Sequence, residues 1–138
     1  NFYIPINPFN RVPHKKNSAS YWTNRMLRKA KLHNGRILVV ENQSTLIGFT
    51  AFYLKKQPYD EALEFIDMKP GYIEMLFVQD KYRGQHIGKE LIGLAEEYFK
   101  KEGRTHSELG VFGPNIRAHS FYVENGYMDK DINMIKAL

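Results

Sequence analysis

Apolar residues fall in short runs divided by polar turns, and the spacing inside each run sorts the runs into strands and helices. Residues 72–78 hold Ile73, Met75, Leu76, Phe77 and Val78 with little polar between them, the pattern of a buried strand. A polar turn over residues 79–82 follows, and then glycines at 84 and 88. Behind it, Ile87, Leu91, Ala95 and Tyr98 or Phe99 recur at helical spacing, which predicts an amphipathic helix closed by Gly103. Residues 71–99 therefore read as strand, glycine-containing turn and helix, and the rest of the chain is arranged around them.

Phe2, Tyr3 and Ile4 precede prolines at 5, 8 and 13, which predicts a short edge strand and then an irregular loop, since proline cannot donate to a ladder. Residues 18–33 predict a helix with Ser18 as its N-cap, Ala19, Trp22, Met26 and Ala30 on one face, and Asn34-Gly35 as its stop. Residues 36–41 and 45–55 predict two strands joined by Asn42-Gln43-Ser44, with Gly48 marking a bulge or a close backbone approach. The connection 57–70 is polar, with room for a turn of helix over 62–66. Its Asp60, Glu61, Glu64 and Asp67 form the densest acidic stretch of the chain. Those carboxylates fit either a solvated loop or a lid that attracts a cationic substrate.

Further on, residues 107–112 predict a strand, Gly113-Pro114 a turn, and Asn115 the cap of a short helix that runs through Glu124 and ends at Asn125-Gly126. Alternating Ile132, Met134 and Ala137 or Leu138 predict a last strand or hairpin over 127–138. Three consecutive strands favour antiparallel pairing, and the strand–helix–strand crossover from 72 to 112 favours a parallel pair. The fold class is thus α/β, a central mixed, mostly antiparallel twisted sheet with helices on both faces.

Composition narrows the function. At 138 residues the chain suits one domain, residues 1–138, with a real core. It begins at Asn1 without methionine, so a trimmed or partial chain is expected. No apolar run is long enough to cross a bilayer and no secretory signal is visible, so a cytoplasmic protein without membrane partners is expected. The absence of cysteine excludes disulfides, thiolate metal sites and a cysteine nucleophile. The five histidines show no H-x-x-x-H spacing, so no metal is expected. A formal charge of +5 suits an anionic ligand, but without a basic block or aromatic–basic interleaving no nucleic-acid partner is expected.

A strand, a glycine turn and a helix N-terminus make an anion site, because the first-turn N–H groups lack intrahelical partners and the helix dipole favours negative charge there. A P-loop needs four residues between its glycines and a hydroxyl residue after its lysine. Here three separate Gly84 from Gly88, and Glu90 follows Lys89. The dinucleotide pattern G-x-G-x-x-G has no match either. Arg83, Gly84, Gln85, His86, Ile87 and Gly88 instead resemble the R/Q-x-x-G-x-G/A pyrophosphate loop of the GCN5-related N-acetyltransferases (GNAT family), with His86 where the first glycine is usual. Residues 115–128 resemble that family's N-x-x-A-x-x-F/L-Y-x-x-x-G-F/Y signature through Asn115, Ala118, Phe121, Tyr122, Gly126 and Tyr127. Ile47-Gly48-Phe49 matches its I-G-F strand. The resemblance covers residues 18–138, and the proline-rich segment stands where the family has its first helix.

What the resemblance implies is an acetyl-CoA-dependent N-acetyltransferase in which an acceptor amine, on a small molecule or a protein, attacks the thioester directly. Arg83, Gly84, Gln85, His86, Ile87, Gly88 and Lys89 would hold the pyrophosphate through backbone N–H groups, His86 fitting if its φ is helical. Leu76, Phe77 and Val78 would pair their backbone with the pantetheine amides. Asn115 would contact the cofactor near the thioester, and Tyr122 would protonate the leaving sulfur. Tyr122 also fits a core position of an amphipathic helix. Glu74, counted with the parity of Leu76 and Val78, is either the general base or a strand glutamate that faces solvent or pairs with lysine. Relatives that acetylate ribosomal-protein N-termini carry a glutamate where this chain has Gly110, and Glu108 lies two residues earlier. His86 and His119 are expected at the surface. The acceptor is read as an amine, cationic if the acidic stretch serves it, with pocket loops at 7–21 and 57–70; a homodimer is compatible with this. The alternative is a catalytically silent CoA-binding or protein-interaction module of the same fold, against which stand the intact Asn115 and Tyr122.

Overall fold

The computed structural model describes residues 17–64, 68–136 and 138. The edge strand and loop expected in residues 1–16, and Asp67, lie outside the described residues. Contacts divide the described residues into one unit that ends at Gly110 and a second that begins at Val111.

The first unit holds a four-stranded sheet in the order β1 (Arg36–Asn42), β2 (Thr45–Leu54), β3 (Pro70–Val78) and β4 (His106–Leu109). β1 and β2 are an antiparallel hairpin reversed at Gln43 and Ser44, whose φ of 47° and 64° suit a two-residue turn that keeps the strand twist. β2 pairs antiparallel with β3, and β3 parallel with β4 across the helix α3 (Ile87–Lys101). The expected mixed, mostly antiparallel sheet is present.

Successive residues of β2 show that helices cover both faces. Phe52 packs edge-on against Phe99 of α3 with ring centroids 5.5 Å apart. Its neighbour Tyr53 points the other way, where its hydroxyl takes a hydrogen bond from Lys29 of α1 (Ser18–Leu32) at 3.0 Å. On the α3 side Phe52, Ile73, Leu91, Ile92, Ala95 and Phe99 are buried. Removing each large apolar side chain from water contributes about 1.5–3 kcal/mol. Gly71 is what lets α3 seat on β3, since a Cβ there would lie 2.2 Å from the Phe99 ring.

Several elements differ from the sequence expectation. Asn17, at φ 73°, rather than Ser18, caps α1, and it makes no side-chain cap bond. No residue of α1 is buried, and Trp22 is 51% exposed. Met26 and Ala30 of the apolar stripe are half-buried, and Arg25 and Lys29 add polar contacts to the sheet. Its left-handed stop is Asn34 at φ 48°, with the Gly35 N–H returning to the Ala30 carbonyl at 2.6 Å. In the acidic connection, α2 (Tyr59–Glu64) begins earlier than expected. β4 stops at Leu109, short of Phe112. Residues 127–136 form no strand, and Ile132 and Met134 are 74% and 91% exposed. Alternation yields a strand only where an edge offers a ladder.

Beside Gly48 the expected bulge is present. Val40 pairs with Gly48 and Glu41 with Leu46, which leaves Ile47 as the extra residue. In the second unit, α4 (Ile116–Glu124) is capped as expected by Asn115, whose side chain accepts from the Ala118 N–H at 3.1 Å. Gly126, at φ 90°, follows its end.

Candidate active site

The ladder between β3 and β4 ends at Ile73 and Leu109, yet β3 continues five residues further, from Glu74 to Val78. Which backbone groups face that released edge follows from one bond. The Gln79 N–H donates to the Ile47 carbonyl at 2.8 Å, so Gly48 and Val78 form a non-hydrogen-bonded pair. By alternation Phe77 exchanges its hydrogen bonds with Phe49, while Leu76 and Val78 turn their N–H and C=O groups toward the edge. This corrects the grouping of Leu76, Phe77 and Val78. Phe77 has its backbone turned to β2, and its ring lies 5.8 Å from that of Phe49.

A short 3₁₀ turn, Asp80–Tyr82, leads from β3 into the loop. Arg83 ties the loop down, its Nε donating to the Val78 carbonyl at 3.0 Å and its guanidinium pairing with Asp80. Gly84 and His86 then take left-handed conformations, at φ 76° and 64°. The helical φ under which His86 was expected to fit is therefore not what it adopts. The turn reverses the chain into α3 at this residue, and a side chain there carries strain of about 1–2 kcal/mol. His86 is exposed and its imidazole does not cap the helix. The first intrahelical bond of α3 runs from the Glu90 N–H to the His86 carbonyl at 3.0 Å. The N–H groups of Ile87, Gly88 and Lys89 thus precede the ladder of the helix and stand at its positive end.

Glu74 lies at the first residue of the released edge, and a second bulge sits on it. Ala51 pairs with Met75 and Phe52 with Ile73, so Glu74 is the extra residue of β3. Parity does not carry across a bulge. Leu76, opposite Thr50, belongs to the α3 face, whereas Glu74 turns to the α1 face with Tyr53 and Tyr72. Its carboxylate pairs not with lysine but with Arg25, whose Nε is 3.4 Å from Oε1. The Tyr53 hydroxyl donates to Oε2 at 3.3 Å.

Burial, and then the Glu74 charge, push the Tyr53 phenol up to about 12. The same two causes raise Tyr72. Both rings are therefore neutral donors at ordinary pH. Glu108 stands opposite Tyr72 in the register and is held by Lys55 at 2.7 Å, with Glu61 of α2 on the same ammonium at 3.5 Å. Gly110 follows β4, where a Cβ would lie 3.2 Å from the Tyr72 hydroxyl. Sequence reasoning missed Tyr53, Lys29 and Arg25. The apolar run around Tyr53 reads as core, and only its terminal hydroxyl could have signalled more.

Within the second unit, Tyr122 stacks edge-on with Phe121 at 5.3 Å and Tyr127 at 5.7 Å. Asn115 is buried, with its carbonyl oxygen engaged in the cap. His119 bonds Asp129 at 2.7 Å. Among the described residues no group of three or more histidines or carboxylates could hold a metal, and no helix is long and apolar enough to cross a membrane.

An open strand edge that runs into a helix N-terminus is the geometry of a site for an extended ligand ending in phosphates. The profile of the Acetyltransferase (GNAT) family matches residues 5–127, and the chain belongs to that family. The match takes in part of the proline-rich segment and stops at Tyr127, whereas the motifs alone suggested residues 18–138.

An aminoalkylphosphonate N-acetyltransferase of Salmonella typhimurium is 37% identical over 49% of this chain and 44% of its own length. An uncharacterized N-acetyltransferase of Methanocaldococcus jannaschii is 31% identical over 90% of this chain and 52% of its own. The chain thus spans about half the length of these curated relatives. Among solved structures, a putative acetyl transferase from Pyrococcus furiosus superposes with a TM-score of 0.72 at 25% identity, over 94% of this chain and 84% of that one.

Proposed function

We propose that residues 1–138 form one acetyl-CoA-dependent N-acetyltransferase domain acting on an amine. The observation that carries this reading is the edge of β3 beyond Ile73, which β4 does not pair and which leads directly into the N-terminus of α3. Leu76 and Val78 would hydrogen-bond the pantetheine amides, and the N–H groups of Ile87, Gly88 and Lys89 would receive the pyrophosphate together with the loop Arg83, Gly84, Gln85 and His86. From Val78 back to Glu74 an extended strand covers about 13 Å at roughly 3.3 Å per residue. A pantetheine arm running along it would bring the thioester toward the bulge at Glu74.

Acetyl-CoA would supply a thioester whose carbonyl carbon takes the amine and whose sulfur leaves as a thiolate. Glu74 would receive the proton of the attacking amine, directly or through water. A backbone N–H at the released edge would stabilise charge on the carbonyl oxygen. Tyr122, on the strength of the family signature, would give its phenolic proton to the sulfur, and Asn115 would contact the cofactor through its free amide nitrogen. In α2, Glu61 is already paired with Lys55, so Asp60 and Glu64 are the carboxylates left to attract a second cation on the acceptor.

Thiol release from acetyl-CoA tests the reading, with 2-aminoethylphosphonate, spermidine, kanamycin and a peptide with a free N-terminus as acceptors. Turnover with any of them supports the enzyme. Stabilisation by acetyl-CoA without turnover supports a silent CoA-binding module. No stabilisation at millimolar acetyl-CoA overturns both.

A further inference from the structure

The hydrogen bonds around Glu74 have a direction that the chemistry of the donors fixes. Lys29 Nζ lies 3.0 Å from the Tyr53 hydroxyl. An ammonium only donates, so that hydroxyl must accept from it, and its single proton is left to point elsewhere. It points at Glu74 Oε2, 3.3 Å away. Arg25 takes the other oxygen, Oε1, from a different turn of α1. The carboxylate is thereby held at both oxygens by groups from α1 and β2, and lone pairs remain on each for a further proton.

The ring of Tyr53 has its own reasons to be there. It lies 5.6 Å from His33 and 5.4 Å from Tyr72, contacts a phenylalanine would make equally well. The hydroxyl is what a phenylalanine would lack, and it joins a cation to a carboxylate. A strand glutamate set on a bulge has three rotatable bonds and no ladder partner of its own. Without the donors its carboxylate would sample several rotamers, few of them turned to the reacting end.

We propose that Tyr53 is a positioning residue for acetyl transfer, held by Lys29 and holding the Glu74 carboxylate toward the point where the β3–β4 ladder ends. The proposal rests on Glu74 being the general base. Tyr53 touches neither substrate in this scheme and acts through Glu74 alone, so its removal should matter only while Glu74 is present.

A double-mutant cycle reads this out, using the fastest acceptor among 2-aminoethylphosphonate, spermidine, kanamycin and the peptide. Glu74→Gln should lower kcat roughly 10²-fold, the scale of a lost general base. Tyr53→Phe should lower kcat roughly tenfold, as expected for one lost hydrogen bond to a charged group, and leave the KM for acetyl-CoA unchanged. The double variant should be no slower than Glu74→Gln alone. Lys29→Met, which leaves the Tyr53 ring in place, should show a smaller fall of the same kind.

A Tyr53→Phe kcat within about twofold of wild type overturns the proposal, as it falls well short of one charged hydrogen bond. So does an equal loss with and without Glu74. If Glu74→Gln is itself as active as wild type, the general-base reading fails and the proposal fails with it. The same is true if no acceptor is turned over.

Discussion

Arg83 donates from Nε to the carbonyl of Val78 at 3.0 Å, so the first residue of the loop before α3 is bonded to the last residue of β3. The two halves of the proposed cofactor site, strand edge and loop before the helix N-terminus, are thereby joined by one side chain. Arg83→Met should loosen that joint and weaken acetyl-CoA binding roughly tenfold, the usual cost of losing a charged hydrogen bond. Arg83→Lys should not restore it, because a lysine lacks the fork that reaches Val78 and Asp80 together. Thermal shift against acetyl-CoA concentration measures both.

His86 and Gly84 share a left-handed backbone, but only one of them is a glycine. His86→Gly should raise stability by about 1 kcal/mol, a few degrees in Tm, by releasing the strain of a Cβ at positive φ. His86→Ala removes the imidazole but keeps the Cβ and should give no such gain. Calorimetry of the two variants separates strain from any contribution of the ring.

Tyr122→Phe tests the proposed general acid. The ring contacts with Phe121 and Tyr127 need no hydroxyl, so stability should change by only about 1 kcal/mol. The kcat should fall roughly 10²-fold or more, with acetyl-CoA affinity nearly unchanged. A folded variant whose kcat stays within about threefold of wild type would make Tyr122 a packing residue, since a lost general acid costs far more.

The proposed attraction of α2 for a cationic acceptor is tested at its carboxylates. Neutralising Asp60 and Glu64 together should raise the KM for spermidine and leave acetyl-CoA binding unchanged. Because Glu61 already neutralises Lys55 beside Glu108, Glu61→Gln should act differently, by disturbing that ion pair. Steady-state kinetics that show no change in spermidine KM for the Asp60 and Glu64 pair would return α2 to a solvated helix.

Tyr53 gives a pH signature independent of catalysis. Its phenol has a folded pKa of about 12 against 10.0 unperturbed, mainly through burial and then Glu74. The folded state holds its proton more tightly than the unfolded chain. This contribution to stability is therefore complete below pH 10 and is lost as pH rises from about 10 to about 12. Denaturation across that window should show a shallower fall in Tyr53→Phe than in wild type. A spectrophotometric titration should show one fewer late-ionising tyrosine.

The sequence by itself determined what short-range spacing controls. Helical recurrence from Ile87 to Phe99, the cap at Asn115 and the stops at Gly103 and Gly126 depend only on neighbours within a turn or two. So does the order of the two motifs that marks the family. Pairing across the sheet decided the rest. The bulge at Glu74 exists only relative to Ala51 and Phe52 on β2, and it moved Glu74 to the face opposite that given by strict alternation. The length of the β3–β4 ladder, and hence which backbone groups of β3 it leaves unpaired, depends on where β4 stops. Lys29, Tyr53 and Glu74 are 24 and 21 residues apart in the chain, and no local pattern could have joined them. A side chain's face on a strand is set by register, and register belongs to two strands at once.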